Sequence, residues 1–375
     1  MSRCDTITAV DLYSVALPLP TGVSDAKVLT GRQQPMTEVA VLFAEITTAA
    51  GWSGLGIGYA KRAGGPAQFA HARELAPLLL GADPNDITAL WDRLCWAGAS
   101  VGRSGLAMQA IAAFDIALWD LKARRANLPL AKLLGAHRDS VRCYNTSGGF
   151  LHAPVEEMRD RAEAALARGT GGIKIKVGHP DHAVDLARVA AMRAELGDAV
   201  TLMVDANQQW DRPTARRMCR DLAQFDPAWI EEPLDAYDFA GHARLAATCA
   251  TPIATGEMLT SAADHTRLIG AGAADIIQPD APRIGGITPF LRIMARAESE
   301  NLQLAPHFVM EVHLHLAAAY RAEPWVEHFE WFDPLFEESQ VITDGRMHVS
   351  SRPGLGLTRS DRARDWTVAD FSIHA

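Results

Sequence analysis

The sequence predicts an α/β chain in which a parallel barrel follows a smaller α+β unit, and two patterns carry that expectation. From about residue 140 onward, eight short apolar runs recur with a period of 20–31 residues, and helical stretches separate most of them. That rhythm is the signature of parallel βαβ units. Before it, strands come first and helices after, the order of an α+β domain. A chain of 375 residues has room for both.

The front half opens on two β-rich segments, 9–16 and 37–48, divided by a polar stretch containing Ser24, Asp25, Lys27, Gly31 and Arg32. A glycine-rich loop is expected over 51–65, carrying Tyr59, Lys61 and Arg62. Helical periodicity follows over 71–80, 87–97 and 105–126. The eight apolar runs are 141–144, 172–177, 200–205, 229–231, 252–255, 276–279, 303–305 and 325–328. Helices are expected between them, at 155–168, 182–196 and 213–224 among others. Eight runs fit a closed barrel better than an open sheet. The tail after Pro334 reads as loop returning to the front half. The expected division is therefore 1–137, completed by about 340–375, and a barrel over 138–339.

With 48% hydrophobic and 22% charged residues, the composition excludes disorder, collagen and coiled coil as descriptions of the whole. A net charge of -9 argues against a general nucleic-acid or anionic-membrane surface. An anionic substrate would then need a local basic pocket or a metal. No run approaches the roughly twenty apolar residues of a membrane span. The first residues lack a signal-peptide pattern, and the five cysteines are scattered without C-x-x-C spacing. The expectation is a soluble cytoplasmic protein.

In such a barrel the reactive side chains sit at the C-terminal strand ends. The second run then offers Lys174 and Lys176, the third Asp205 and Asn207, and the fourth Glu231 and Glu232. The later runs offer Glu257, Asp280, His307 and Glu327 in turn. Asp205 to Glu231 and Glu231 to Glu257 are both steps of 26 positions, one βα unit each. Three carboxylates would thus converge, and bare anions at that range raise one another's pKa. A divalent cation resolves the repulsion, and hard oxygen ligands favour Mg²⁺. The competing reading makes each acid a helix N-cap, which explains one acid more easily than three at equal pitch.

Strand alternation puts Lys174 and Lys176 on one face, here the barrel interior. Adjacent cations depress each other's pKa, so a lysine tuned toward neutral and able to act as a base is expected. Asp280 and His307, 27 positions apart, would lie on neighbouring strand ends. There the carboxylate fixes the imidazole's tautomer and raises its basicity. A dry pocket would make Glu327 a protonated hydrogen-bond donor; an ordinary surface glutamate is the alternative. Gly54, Gly56 and Gly58 lack the third glycine of a dinucleotide fingerprint, since Lys61 holds that place. Neither a P-loop nor a nucleophile elbow is present. His313 and His315 could suggest zinc beside His307, but on a helix an i, i+2 pair faces different sides.

Taken together these residues resemble the enolase superfamily and, within it, the mandelate racemase subgroup. The motifs are Lys174-Ile175-Lys176, Val204-Asp205-Ala206-Asn207, Ile230-Glu231-Glu232-Pro233, Gly256-Glu257, Pro279-Asp280 with Ile284-Gly285-Gly286, His307 and Glu327, in family order. The resemblance implies a modified TIM barrel of (β/α)7β type with an α+β N-terminal capping domain closing over its mouth. It implies Mg²⁺ on Asp205, Glu231 and Glu257. Lys176 and the His307–Asp280 dyad would face opposite sides of the substrate, and Lys174 and Glu327 would stabilise an ene-diolate. It further implies a homo-oligomer, from dimer to octamer.

A narrower likeness lies in segments 24–32, 61–65, 96–104, 143–152, 207–211 and 310–316, which look like those of the subgroup's acid-sugar dehydratases. Lys27, Arg32, Lys61 and Arg62 crowd the candidate capping loops of an acidic chain, which suggests a second substrate carboxylate. Simply polar loop tips are the alternative. Asp25, Lys27, Lys61, Arg62, Lys174, Asn207, His307 and Glu327 are the expected substrate-binding residues. The implied activity removes the α-proton of a hexarate, galactarate or L-talarate, and expels the β-hydroxyl to give a keto-deoxy-aldarate. The rivals are a racemase or epimerase, a different acid-sugar dehydratase, and an inert sugar-acid-binding protein. No nucleic-acid or membrane partner is expected.

Overall fold

The computed structural model describes residues 5–23 and 26–375. Its front half is built on β1 (Ile7–Val23), β2 (Met36–Thr48) and β3 (Ser53–Lys61), antiparallel neighbours in one sheet. Period-2 alternation makes both faces apolar. Leu42, Ala44 and Ile46 of β2 pack with Leu75, Leu90, Ile111 and Phe114 of the front-half helices. Val41 and Phe43 point the other way, into a cluster with Phe290, Phe308 and Phe332 of the barrel. The sheet is thus a plate clamped between its own helices and the barrel.

The expected loop over 51–65 is instead mostly the strand β3, and the reason lies in its glycines. Gly54, Gly56 and Gly58 occupy every second position, so all three face the long helix Leu106–Arg125. A Cβ on Gly56 would stand 1.8 Å from the carbonyl oxygen of Ala113, and one on Gly54 2.1 Å from that of Ala117. The glycines serve close strand–helix approach, a use of the residue that differs from turn formation. Gly56→Ala should therefore cost about 3 kcal/mol or more, read as a fall in melting temperature. An unchanged melting temperature would mean that the strand and helix can separate freely.

The second half closes a barrel from eight parallel strands: β4 (Ser140–Asn145), β5 (Gly172–Lys176), β6 (Thr201–Asp205), β7 (Ile230–Glu231), β8 (Ile253–Thr255), β9 (Ile276–Ile277), β10 (Gln303–Leu304) and β11 (Trp325–His328). Ladders run from β4 through β10 in order, and β11 pairs back onto β4. Helices follow the first seven strands, among them Val155–Ala167, His182–Leu196 and Met310–Ala319, whereas β11 leads into the 3-10 turn Glu330–Leu335. This is the (β/α)7β arrangement. The lumen is filled, not open: Tyr144, Met203, Trp229, Ile276 and Trp325 form one buried cluster. Tyr144 and Trp229 meet edge to face at 5.2 Å.

The tail is more regular than expected. β12 (Val341–Thr343) and β13 (Arg346–His348) form a hairpin that adds to β4 of the barrel. Only then does the chain cross back, as β14 (Thr367–His374), to pair with β1. No helix among the described residues is long and apolar enough to cross a membrane.

Candidate active site

The strand ends of the barrel and the end of β3 converge on a cavity of about 170 Å³. Asp205 and Glu231 terminate β6 and β7, and Glu257 follows β8 by two residues. One oxygen from each lies within 4.8 Å of the others, and all three residues are buried. None caps a helix: Asp181, Asp211, Asp238 and Ser261 do that work in the neighbouring units. Such a donor set, carboxylate oxygens with no nitrogen or sulfur, suits a hard divalent cation. Mutual repulsion shows in Glu231, which is pushed up to about 8: burial raises it most, Lys174 opposes, and Asp205 and Glu257 raise it further. Its Oε2 is fixed from below by Trp229 Nε1 at 3.0 Å and Gln278 Nε2 at 2.8 Å.

Both strand-β5 lysines point inward, as alternation requires, and both are paired. Lys174 Nζ lies 2.7 Å from Glu231 and 2.9 Å from Glu327, while Lys176 Nζ bonds Asp205. The expected depression by the neighbouring ammonium is outweighed here by other charges. Burial favours loss of the proton, but the Glu231 and Glu327 carboxylates outweigh it at Lys174, and Asp205 does so at Lys176, raising both. Carboxylates surround the pair, so attraction exceeds the repulsion between two ammoniums.

Glu327 is corrected likewise. It accepts from Thr146 Oγ1 at 2.6 Å and from the backbone N–H of Phe308 at 2.8 Å, besides Lys174. Burial alone would raise its pKa, yet Lys174, His307 and Thr146 bring it down to about 2. Three donors on the carboxyl favour its charged form over the protonated donor expected.

His307 Nδ1 sits 2.7 Å from Asp280 Oδ2, and its Nε2 is 3.4 Å from Glu257. Asp280 also caps the short helix Ala281–Ile284 through the N–H of Arg283, so here the cap reading and the dyad reading are both true. Burial pushes the Asp280 carboxyl up, but His307, His313 and Arg283 hold it below the usual range. Asn207, in the left-handed region at φ 44, turns its N–H and amide onto Asp205 and leaves a buried Oδ1 without a partner. Glu232, also left-handed, accepts from Gln208 and is buried without lining the cavity.

From the front half, Lys27, Lys61 and Arg62 line the cavity, whereas Arg32 is exposed and does not. Asp25 lies outside the described residues. Lys61 Nζ stands 4.2 Å from the centre of the Phe308 ring, with Tyr59 and Trp331 also near. Burial first, then Arg283, lowers it to about 8, against the pull of Glu257, Glu327 and Asp280. Arg62 bonds the carbonyl of Gln34. His313 and His315 accept from the N–H groups of Ala281 and Ala131, on different sides of their helix, and hold no zinc arrangement.

Two residues that bond around Asp280 stand outside the expected site. Arg283, buried, lines the cavity between Met258 and Tyr59. Tyr59, the third residue from the end of β3, bonds Asp280. The signal for Tyr59 was the β3 alternation itself: with Gly54, Gly56 and Gly58 on one face, Leu55, Ile57 and Tyr59 must share the face turned to the barrel.

Comparison with known proteins agrees with this geometry. Residues 26–135 match the N-terminal domain model of the mandelate racemase/muconate lactonizing enzymes, and residues 157–363 match the enolase C-terminal domain-like model. The chain is 61% identical over 363 residues to an L-talarate/galactarate dehydratase of Salmonella typhimurium, covering 97% of this chain and 91% of that protein. It is 38% identical to a 3,6-anhydro-α-L-galactonate cycloisomerase of Streptomyces coelicolor, covering 92% and 94%. Among solved structures, an L-talarate dehydratase from a Polaromonas species, complexed with Mg and L-glucarate, superposes with a TM-score of 0.97 at 66% identity, over 99% of this chain and all of that one.

Proposed function

The chain belongs to the mandelate racemase/muconate lactonizing enzyme family of the enolase superfamily, and on that premise we propose that it is a Mg²⁺-dependent hexarate dehydratase. It is a hydro-lyase acting on galactarate, L-talarate or both. The observation that carries the reading is the placement of three converging carboxylates between Lys176 and the His307–Asp280 pair, under a lid that contributes Lys61. An inert binding protein needs no such pair of bases.

Bound by Asp205, Glu231 and Glu257, Mg²⁺ would polarise the substrate carboxylate beside the carbon that loses its proton, and by engaging Asp205 would release Lys176 from its ion pair. Lys176 and His307 approach that carbon from opposite faces, each able to take the α-proton. Lys174, held in place by Glu327, offsets the negative charge that develops as the C–H bond breaks. His307, once protonated, can hand its proton to the departing β-hydroxyl, which leaves as water; the resulting enol tautomerises to the keto acid. Asn207 borders this end of the site. Lys61, with Lys27 and Arg62, receives the far carboxylate, and the aromatic rings under Lys61 keep water from that contact.

The direct experiment is a screen of stereoisomeric aldarates and aldonates with Mg²⁺, following keto-acid formation. Epimerisation without a keto-deoxy product would assign the chain to the racemases instead. For specificity, Lys61→Met should lower kcat/KM about 10- to 150-fold for dicarboxylic substrates, and much less for monocarboxylic ones. The sign with pH follows: Lys61 is cationic below about 8 and neutral above, so the preference for dicarboxylic acids should decline as pH rises through that value. A preference that is flat with pH and insensitive to Lys61→Met would place the far carboxylate elsewhere.

A further inference from the structure

The Asp280 carboxylate serves more groups than His307 alone. Its Oδ2 takes the Tyr59 hydroxyl at 2.5 Å as well as the imidazole at 2.7 Å, and its Oδ1 takes the Arg283 N–H at 3.2 Å. Arg283 Nε in turn stands 3.0 Å from the Tyr59 oxygen and 3.8 Å from Asp280 Oδ2. Donor and acceptor chemistry leaves a single direction for this chain of bonds. A guanidinium can only donate, so Tyr59 accepts from Arg283 and must point its own O–H at Asp280. An ionised Asp280 can only accept, so His307 carries a proton on Nδ1 and turns Nε2 toward the cavity, 3.4 Å from Glu257. Burial and Asp280 both raise the Tyr59 pKa well above its ordinary value, although Arg283 lowers it, so the phenol keeps its proton. The Tyr59 ring itself is wedged edge-on against Phe308 and Phe332, which fixes where the hydroxyl sits.

We propose that Tyr59 is a positioning residue for the reaction: anchored by Arg283, its hydroxyl holds the Asp280 carboxylate at the angle that keeps His307 in the Nδ1–H form and aims Nε2 at the substrate. The relay crosses 221 positions, from the capping sheet to the barrel. The dyad is therefore complete only when the capping domain is docked. Without the hydroxyl, Asp280 loses a donor on the oxygen it shares with His307. Arg283 loses its acceptor and is near enough to turn onto Asp280, drawing it away from the imidazole. Lys176 shares no atom of this relay. The proposal rests on the two-base reading above only for its kinetic consequence; the tautomer is a property of the fold.

The test uses the full-length Mg²⁺-loaded protein as wild type, Tyr59→Phe, Asp280→Asn and the double variant. Nitrogen NMR of the His307 ring reports the tautomer directly, and solvent-deuterium exchange of the α-proton is followed for both epimeric hexarates. The expected result is a wild-type Nδ1–H signal that weakens or broadens in Tyr59→Phe. Exchange should fall about tenfold with the epimer served by His307 and hold with the other. Tyr59→Phe should add nothing further in the Asp280→Asn background, because the two act through one bond. Equal losses on both epimers, or effects that multiply in the double variant, would reduce Tyr59 to a packing role and overturn the proposal. Were the wild type to exchange neither epimer, the two-base reading would fail while the ring spectrum still decided the role of Tyr59: an unchanged tautomer in Tyr59→Phe overturns it.

Discussion

Stripping divalent cations should abolish turnover, and adding Mg²⁺ back should restore it. The expectation follows from the charges that meet at the barrel mouth. Asp205, Glu231, Glu257 and Glu327 bring four carboxylates, against the two ammoniums of Lys174 and Lys176. The fully ionised cluster is left with two negative charges, the amount that one dication cancels. Burial first, with Asp205, Glu257 and Glu327 adding to it against Lys174, pushes the Glu231 carboxyl up to about 8. Metal entry near neutral pH should therefore expel the Glu231 proton, giving a binding enthalpy that changes with the ionisation enthalpy of the buffer. Asp205→Asn, Glu231→Gln or Glu257→Gln should each weaken Mg²⁺ by more than about a hundredfold, beyond the 10- to 100-fold typical when only a partner of a ligand is lost. Mg²⁺ should also raise the melting temperature of the wild type, since it binds the folded chain alone, and do so far less in each variant. Full activity in metal-free buffer would end the reading, whatever the variants did.

How much of this could be read from residues depended on the length scale of each feature. The eight strands and the side chains at their ends were legible because both follow from local periodicity, and the repeated step of 26 positions tied Asp205, Glu231 and Glu257 to one another. β3 was misread because three glycines in alternation look like a loop until the helix they accommodate, Leu106–Arg125, is laid against them. The β12–β13 hairpin carries its own signal in Asp344-Gly345, both at positive φ, and a tail read as loop passes over it. The charge balance around Lys174, Lys176 and Glu327 escapes the sequence for a reason related to that of β3. A Lys-x-Lys pattern displays the repulsion within a strand, whereas the carboxylates that reverse its effect arrive from β6, β7 and β11. Arg283 and Tyr59 were missed because their meeting at Asp280 joins two domains.

The test with the greatest leverage on mechanism separates the two bases. Lys176 emerges from β5 and His307 from the loop after β10, with the carboxylate cluster between them. A substrate anchored by one carboxylate at that cluster and by the other near Lys61 cannot turn over, so a given base meets only one face of the α-carbon. His307→Asn should then lose dehydration by roughly 10²- to 10⁴-fold, the usual worth of a positioned general acid or base. It should still exchange the α-proton of the epimer whose hydrogen faces Lys176. Lys176→Ala should lose exchange on that epimer by a similar factor, together with any interconversion of the two hexarates, and keep exchange on the face of His307. Asp280→Asn should follow the histidine variant in kind but less severely, because the imidazole remains while its tautomer and aim are no longer set by a carboxylate. The measurement is deuterium incorporation at the α-carbon of each epimer, read beside keto-acid formation on the same samples. The decisive feature is that the two losses fall on different epimers. Should either single variant interconvert galactarate and L-talarate at the wild-type rate, one base must reach both faces, and the assignment of separate roles to Lys176 and His307 cannot stand.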